Sequence, residues 1–153
     1  MVITFCGHSN FSSNFGDEER LLNLIEAVAQ NMQVDFYLGG YGAFDAFALK
    51  CSKKYKELHP NAKLIFVTPY LDNWLNHRKD VLEKTYDMIL FPEIEHVPKK
   101  FAILKRNEWM VNQADYVFSY VKNHFGGAYR TLLYAHKHKK AYTNLYQGEC
   151  ELF

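Results

Sequence analysis

The sequence is poor in the features that assign a function at a glance. Its three cysteines, Cys6, Cys51 and Cys150, are odd in number and contain no CxxC pair, which argues against both a disulfide framework and a closed zinc site and points to a reducing, cytoplasmic compartment. No apolar run approaches the roughly 20 residues that span a bilayer. The short apolar opening at residues 1–6 lacks the length and the basic leader of a signal peptide, so no membrane partner is expected. Neither sign of charge is in excess: 18 Lys and Arg face 17 Asp and Glu, a formal net charge of +1. A chain so balanced has no global field to draw it onto nucleic acid, which is disfavoured as a partner, and any charged partner must be met by a local pocket. The GxGxxG fingerprint, the Gly-Lys-Ser/Thr ending of a phosphate loop, the GxSxG elbow and the HExxH pair are all missing. We expect no metal and no cofactor.

What remains is an ordinary globular composition. At 153 residues, with 48% apolar and 23% charged, the chain fits one domain, residues 1–153, with a packed core. Aromatic residues reach 16%, but most fall inside apolar runs and read as strand and core filler. Short β-branched or aromatic runs at residues 2–6, 34–38, 64–67, 88–91, 116–119 and 141–145 predict six strands. Between them, apolar residues at helical spacing predict helices starting at Asp17, after Gly42, within residues 71–84, after Pro98 and at Gly126. Strands alternating with helices at this pitch imply a Rossmann-like α/β/α sandwich with a mostly parallel sheet, because each crossover is right-handed and returns a helix over the sheet. Ligands of such sheets lie beyond the carboxyl ends of the strands. The loops to watch are residues 8–14, 39–42, 93–100 and 123–127.

Two of these loops are glycine turns that open helices. In Gly39-Gly40-Tyr41-Gly42, residues without a Cβ let main-chain N–H groups approach an anion at a helix N-terminus; close helix–strand packing explains the same glycines. Gly126 and Gly127 repeat the pattern, with Tyr129, Arg130 and Thr131 adding a guanidinium and hydroxyls. After the first strand, Gly7, His8 and Ser9 offer an imidazole and a hydroxyl. Asp45 opens the helix after the first glycine turn, where contact with a ribose hydroxyl and stabilisation of the helix N-terminus are both open. Bond cleavage at an anomeric carbon needs a carboxylate, for which Asp45, Glu93, Glu95 and Glu108 are candidates, and Arg106 can orient a phosphate.

Four segments carry a family resemblance: ITFCGHS at residues 3–9, FYLGGYGAFDAFA at 36–48, KRNEWMVNQADYVFSYV at 105–121 and GGAYRTLLYA at 126–135. In order and spacing they resemble the first-strand FCGSS, the YGGG..GLMG..A, the ERK..M...ADAFIALPGG and the GGxGTxxE segments of the SLOG superfamily. Those Rossmann-like proteins include the Lonely Guy phosphoribohydrolases, the ligand-binding YpsA-like proteins and a DNA-processing branch. The resemblance implies that the cleft binds a nucleotide or nucleotide-derived small molecule, places Arg106 at the family's functional arginine, and suggests self-association into a homo-oligomer, for which residues 71–74 or Leu152 and Phe153 offer apolar surface. In register with GGxGTxxE, Tyr129 replaces the third glycine, Arg130 the threonine and Leu133 the catalytic glutamate. Leucine cannot stabilise an oxocarbenium ion. Binding of a nucleotide-derived ligand is therefore the first expectation and hydrolysis of a nucleoside 5′-monophosphate, with Arg106, Asp45 and Glu108 as its groups, the second. A third, single-stranded DNA binding through a basic stripe at Lys137, Lys139 and Lys140, is set back by the near-neutral charge.

Overall fold

The computed structural model of the chain describes residues 1–148 and 152–153, apart from the side chain of Trp74. Cys150 thus lies outside the described residues, while Cys6 and Cys51 are buried free thiols. The elements follow in the predicted order: β1 (Val2–Gly7), α1 (Asp17–Ala29), β2 (Asp35–Leu38), α2 (Gly42–Leu58), β3 (Lys63–Val67), α3 (Asn73–Thr85), β4 (Met88–Leu90), α4 (Lys99–Gln113), β5 (Tyr116–Tyr120), α5 (Gly126–Lys137) and β6 (Ala141–Asn144). All six strands run parallel in the order β4-β3-β2-β1-β5-β6. The architecture is Rossmann-like.

Alternation along each strand sorts the core onto two faces. Ile3, Phe5, Phe36, Leu38, Leu64, Phe66 and Phe118 point to the layer formed by α1 and α2, where Leu21, Ile25, Phe44 and Phe47 meet them. Cys6 and Val117 point the other way, onto Val111 of α4 and Leu132 and Ala135 of α5, and Ile65 and Val67 join Met110 of α4 on that same side. The abundant aromatics are explained here. Phe36, Phe5 and Phe118 stack across β2, β1 and β5 with ring centres 6.0 and 6.1 Å apart. Rings of this size close the gap between a sheet and its helices with little side-chain entropy to lose.

The strand order places the reversal between β1 and β5, because the chain moves outward from β1 to β4 and then returns across the sheet to lay β5 on the other flank of β1. A crevice belongs there. The loop after β4, residues 93–100, does not join it as the strand pattern predicts; β4 is the far edge strand, three places from the reversal, and Ile94, Glu95, Val97 and Lys99 line a separate depression with Pro69 and Tyr70. No helix among the described residues is long and apolar enough to cross a membrane.

Candidate functional site

A cleft of about 420 Å³ opens at the β1/β5 reversal. Its floor is the end of β1, Phe5 to Gly7, continued by His8, Ser9 and Asn10. One wall is Tyr41 and Asp45, the other is Ile103, Arg106, Asn107 and Met110 of α4, and the rim is Asn123, Phe125, Gly126, Gly127 and Ala128. Two loops distant in sequence are held together by direct bonds. The main-chain N–H of Lys122 donates to Nε2 of His8 at 2.9 Å, and the N–H of His8 donates to the carbonyl of Tyr120. His8 is therefore the neutral tautomer with its proton on Nδ1, and burial, followed by the nearby Lys122, keeps its pKa below the usual imidazole value. Asn144 grips the same loop from β6, accepting from the Val121 N–H at 2.9 Å and donating to the Val121 carbonyl at 2.8 Å.

Arg106 belongs to the cleft wall, but its charge is committed to protein groups rather than held out to a ligand. It is 1% exposed, and its guanidinium turns inward. Nη1 donates to the carbonyls of Gly39 at 2.9 Å and Val67 at 2.6 Å, Nε donates to Oδ1 of Asn107 at 2.8 Å, and the group lies over the Tyr41 ring at 5.6 Å. It caps the carboxyl ends of β2 and β3. Asp45 accepts from the Tyr41 N–H at 2.8 Å. Burial pushes its pKa up to about 6, opposed by that N–H and by the Arg106 charge. Glu108 does not line the cleft: it pairs with Lys105 at 2.7 Å on α4, so of the two carboxylates named for N-glycosidic hydrolysis only Asp45 stands in the cleft wall. Burial also raises the pKa of the Cys6 thiol, which keeps it protonated and unreactive on the cleft floor.

The two glycine turns part company. Gly40 and Gly42 have φ of +70° and +85°, and a Cβ on Gly40 would come within 2.5 Å of the Phe66 ring. On Gly42 it would press on Ser9, and on Gly39 it would reach Asp45 and Arg106. This turn is packed shut, and only Tyr41 of it lines the cleft. Gly126 and Gly127 have nothing within 4 Å of where a Cβ would stand. They form the first turn of α5, which no side chain caps. Gly126, Gly127 and Ala128 line the cleft, so this uncapped helix start borders it. Thr131 is not available to a ligand, since it is buried and donates to the Gly127 carbonyl at 2.9 Å. Tyr129 and Arg130 stand outside the cleft on α5, Arg130 fully on the surface.

The rim carries residues that the sequence pattern did not single out. Phe125, 72% exposed, stands at the N-terminal boundary of α5. Exposed Lys122 and His124 precede it, and Arg130 follows. From Tyr116 to Gly148 the chain contains Lys122, Arg130, Lys137, Lys139 and Lys140 and not one Asp or Glu. The signal that finds this surface is the local charge count, which the chain average conceals. The stripe expected at residues 137–140 lies elsewhere: α5 is about 18 Å long at 1.5 Å per residue, and these lysines stand at its far end, with Lys140 donating to the carbonyls of Asn112 and Ala114.

No protein-family model matches the sequence, and no curated protein matches it. Solved structures do. Two of them are of DNA processing protein A. One, from Helicobacter pylori, is described for its unique single-stranded DNA binding mode; it is 19% identical with a TM-score of 0.61, covering 93% of this chain and 63% of that one. The other, from Streptococcus pneumoniae, is 15% identical with a TM-score of 0.61, covering 92% of this chain and 48% of that one. The chain thus spans less than two thirds of the length of either. The likeness shows a shared Rossmann-like fold. It also corrects two expectations. The small nucleotide ligand, with phosphoribohydrolysis as its alternative, and the ranking of nucleic acid as an unlikely partner do not stand beside neighbours named for DNA processing, one of them described for binding single-stranded DNA. Net charge is a poor guide to such a partner, because binding responds to the potential of one surface and not to the chain average.

Proposed function

We propose that the cleft and its rim bind single-stranded DNA, one nucleotide seated in the cleft and its neighbours running over the rim, as on the DNA-processing branch of the SLOG superfamily. The observation that carries this is Phe125, an exposed ring that follows Lys122 and precedes Arg130 in the chain and adjoins Gly126 and Gly127, which have open space before them. Sequence-tolerant single-strand binding needs a flat apolar face for a base, cations along the backbone and donors for a phosphate. All three meet at this rim. A volume near 420 Å³ suits one base with its sugar and phosphate rather than a duplex, and a phenyl can stack only on a base that is not already paired within a helix.

Fluorescence anisotropy with a labelled oligothymidine and a matched duplex tests the proposal. The single strand should bind and the duplex should bind far less. Phe125→Ala should weaken the single strand roughly 5- to 150-fold, the range of one missing base stack. Replacing Lys122 or Arg130 by Ala should flatten the log–log salt dependence by about 0.7 for each phosphate that is no longer neutralised. Absence of binding at low salt, or equal binding of the duplex, would overturn the reading.

A further inference from the structure

We propose that the outer face of α5 carries a second base-binding position, a slot between Tyr129 and His136 that the Phe153 ring occupies and that a nucleobase of the strand leaving the cleft takes by displacing it. This rests on the single-stranded DNA reading above and extends it beyond the cleft. Tyr129 and His136 lie two helical turns apart on one face, an axial separation of about 10.5 Å. Phe153 sits between them, its ring centre 6.0 Å from Tyr129 at 21° and 4.5 Å from His136 at 16°. The interval therefore holds one flat ring, gripped on both faces, as nucleobases are held between aromatic side chains. Tyr142 stands edge-on to the same ring at 6.4 Å. The occupant is weakly kept, since Phe153 is 46% exposed and a phenyl has no polar edge with which to bond its neighbours. A base presents a larger stacking face.

Position and charge connect the slot to the cleft. Tyr129 is 5.8 Å from the ring of His124, next to Phe125 at the rim. Arg130 and Lys137 each follow a slot residue by one position, so two exposed cations run along the helix beside the slot with the same two-turn spacing. Phosphates on either side of a stacked base would each meet one. The absence of Asp and Glu between Tyr116 and Gly148 leaves nothing on α5 or β6 to repel them.

Anisotropy titrations of the full chain with two oligothymidines, one that fills only the cleft and one that continues over α5, separate this inference from the reading of the cleft. Tyr129→Ala should weaken the longer strand roughly 5-fold or more and leave the shorter within about twofold, whereas Tyr129→Phe, which keeps the ring, should match the parent protein. Phe153→Ala should tighten the longer strand alone. A 5-iodouracil placed beyond the cleft nucleotide should crosslink to Tyr129 or His136. If Tyr129→Ala leaves the longer strand unaffected while Phe125→Ala weakens both, the slot is overturned and the cleft stands. If Phe153→Ala weakens the longer strand, exchange is overturned. If neither strand binds, both readings fall together.

Discussion

The turn at residues 39–42 and the turn at residues 126–127 look alike in sequence, a glycine cluster between a strand and a helix, and do opposite things. In the first, every glycine has a neighbour where a Cβ would go: Phe66 at Gly40, Ser9 at Gly42, and Asp45 with Arg106 at Gly39. In the second, open space stands in front of both. Glycine at the first turn permits the backbone to come close to other protein groups, and at the second leaves main-chain N–H groups clear for something from outside. The neighbours that close the first turn come from three places: Phe66 from β3, Ser9 from the loop after β1, and Arg106 of α4, whose guanidinium bridges the carbonyls of Gly39 and Val67.

Arg106→Met tests this contrast most severely. It removes charged hydrogen bonds from two buried carbonyls and the counter-charge from Asp45, and should cost about 3 kcal/mol or more, read as a drop in the urea midpoint. A variant that unfolds like the parent but no longer binds its ligand would return Arg106 to the binding surface and erase the distinction. The next effect is steric. Gly40→Ala adds left-handed strain to a collision with Phe66 and should destabilise by about 2–4 kcal/mol, while Gly127→Ala should stay within about 0.5 kcal/mol in the same assay. Equal losses at the two positions would mean that both turns are packed.

A smaller effect follows from Asp45, the carboxyl buried behind the closed turn. Its folded pKa of about 6 lies above the ordinary 3.8, so the native state holds the proton more tightly than the unfolded chain. The stability this contributes is fully present below about pH 4 and is lost as pH rises through 6. Asp45→Asn keeps an acceptor for the Tyr41 N–H and should raise Tm above about pH 7, the advantage shrinking as pH falls from 6 towards 4. A Tm difference that does not change with pH would show that this carboxyl is well solvated.

Much of the scaffold was legible in the residues. The six strands and five helices stand where apolar runs and periodicity predicted them, each strand with one end shifted by a residue. Of the candidate site, Gly7, His8, Ser9, Tyr41, Asp45, Arg106, Gly126 and Gly127 line one cleft. Gly39, Gly40, Gly42, Glu108, Tyr129, Arg130 and Thr131 are not among its lining residues. Spacing says which residues share an element but not which way a long side chain leaves it. Arg106 and Glu108 lie two positions apart on one helix, and a rotation of about 200° separates them, one into the core and one to solvent.

By itself the sequence determined the alternation of strand and helix, and with it a parallel sheet with a crevice at its carboxyl edge, because periodicity and right-handed crossovers are local rules. Strand order, the inward turn of Arg106, the closing of one glycine turn and the clearing of the other were decided only in three dimensions. Each depends on residues far apart in the chain competing for the same space: Arg106 meets the carbonyl of Gly39 across 67 positions, a distance at which no pattern of neighbours carries information. The chain average of charge, +1, hid a segment from Tyr116 to Gly148 that has cations and no carboxylate.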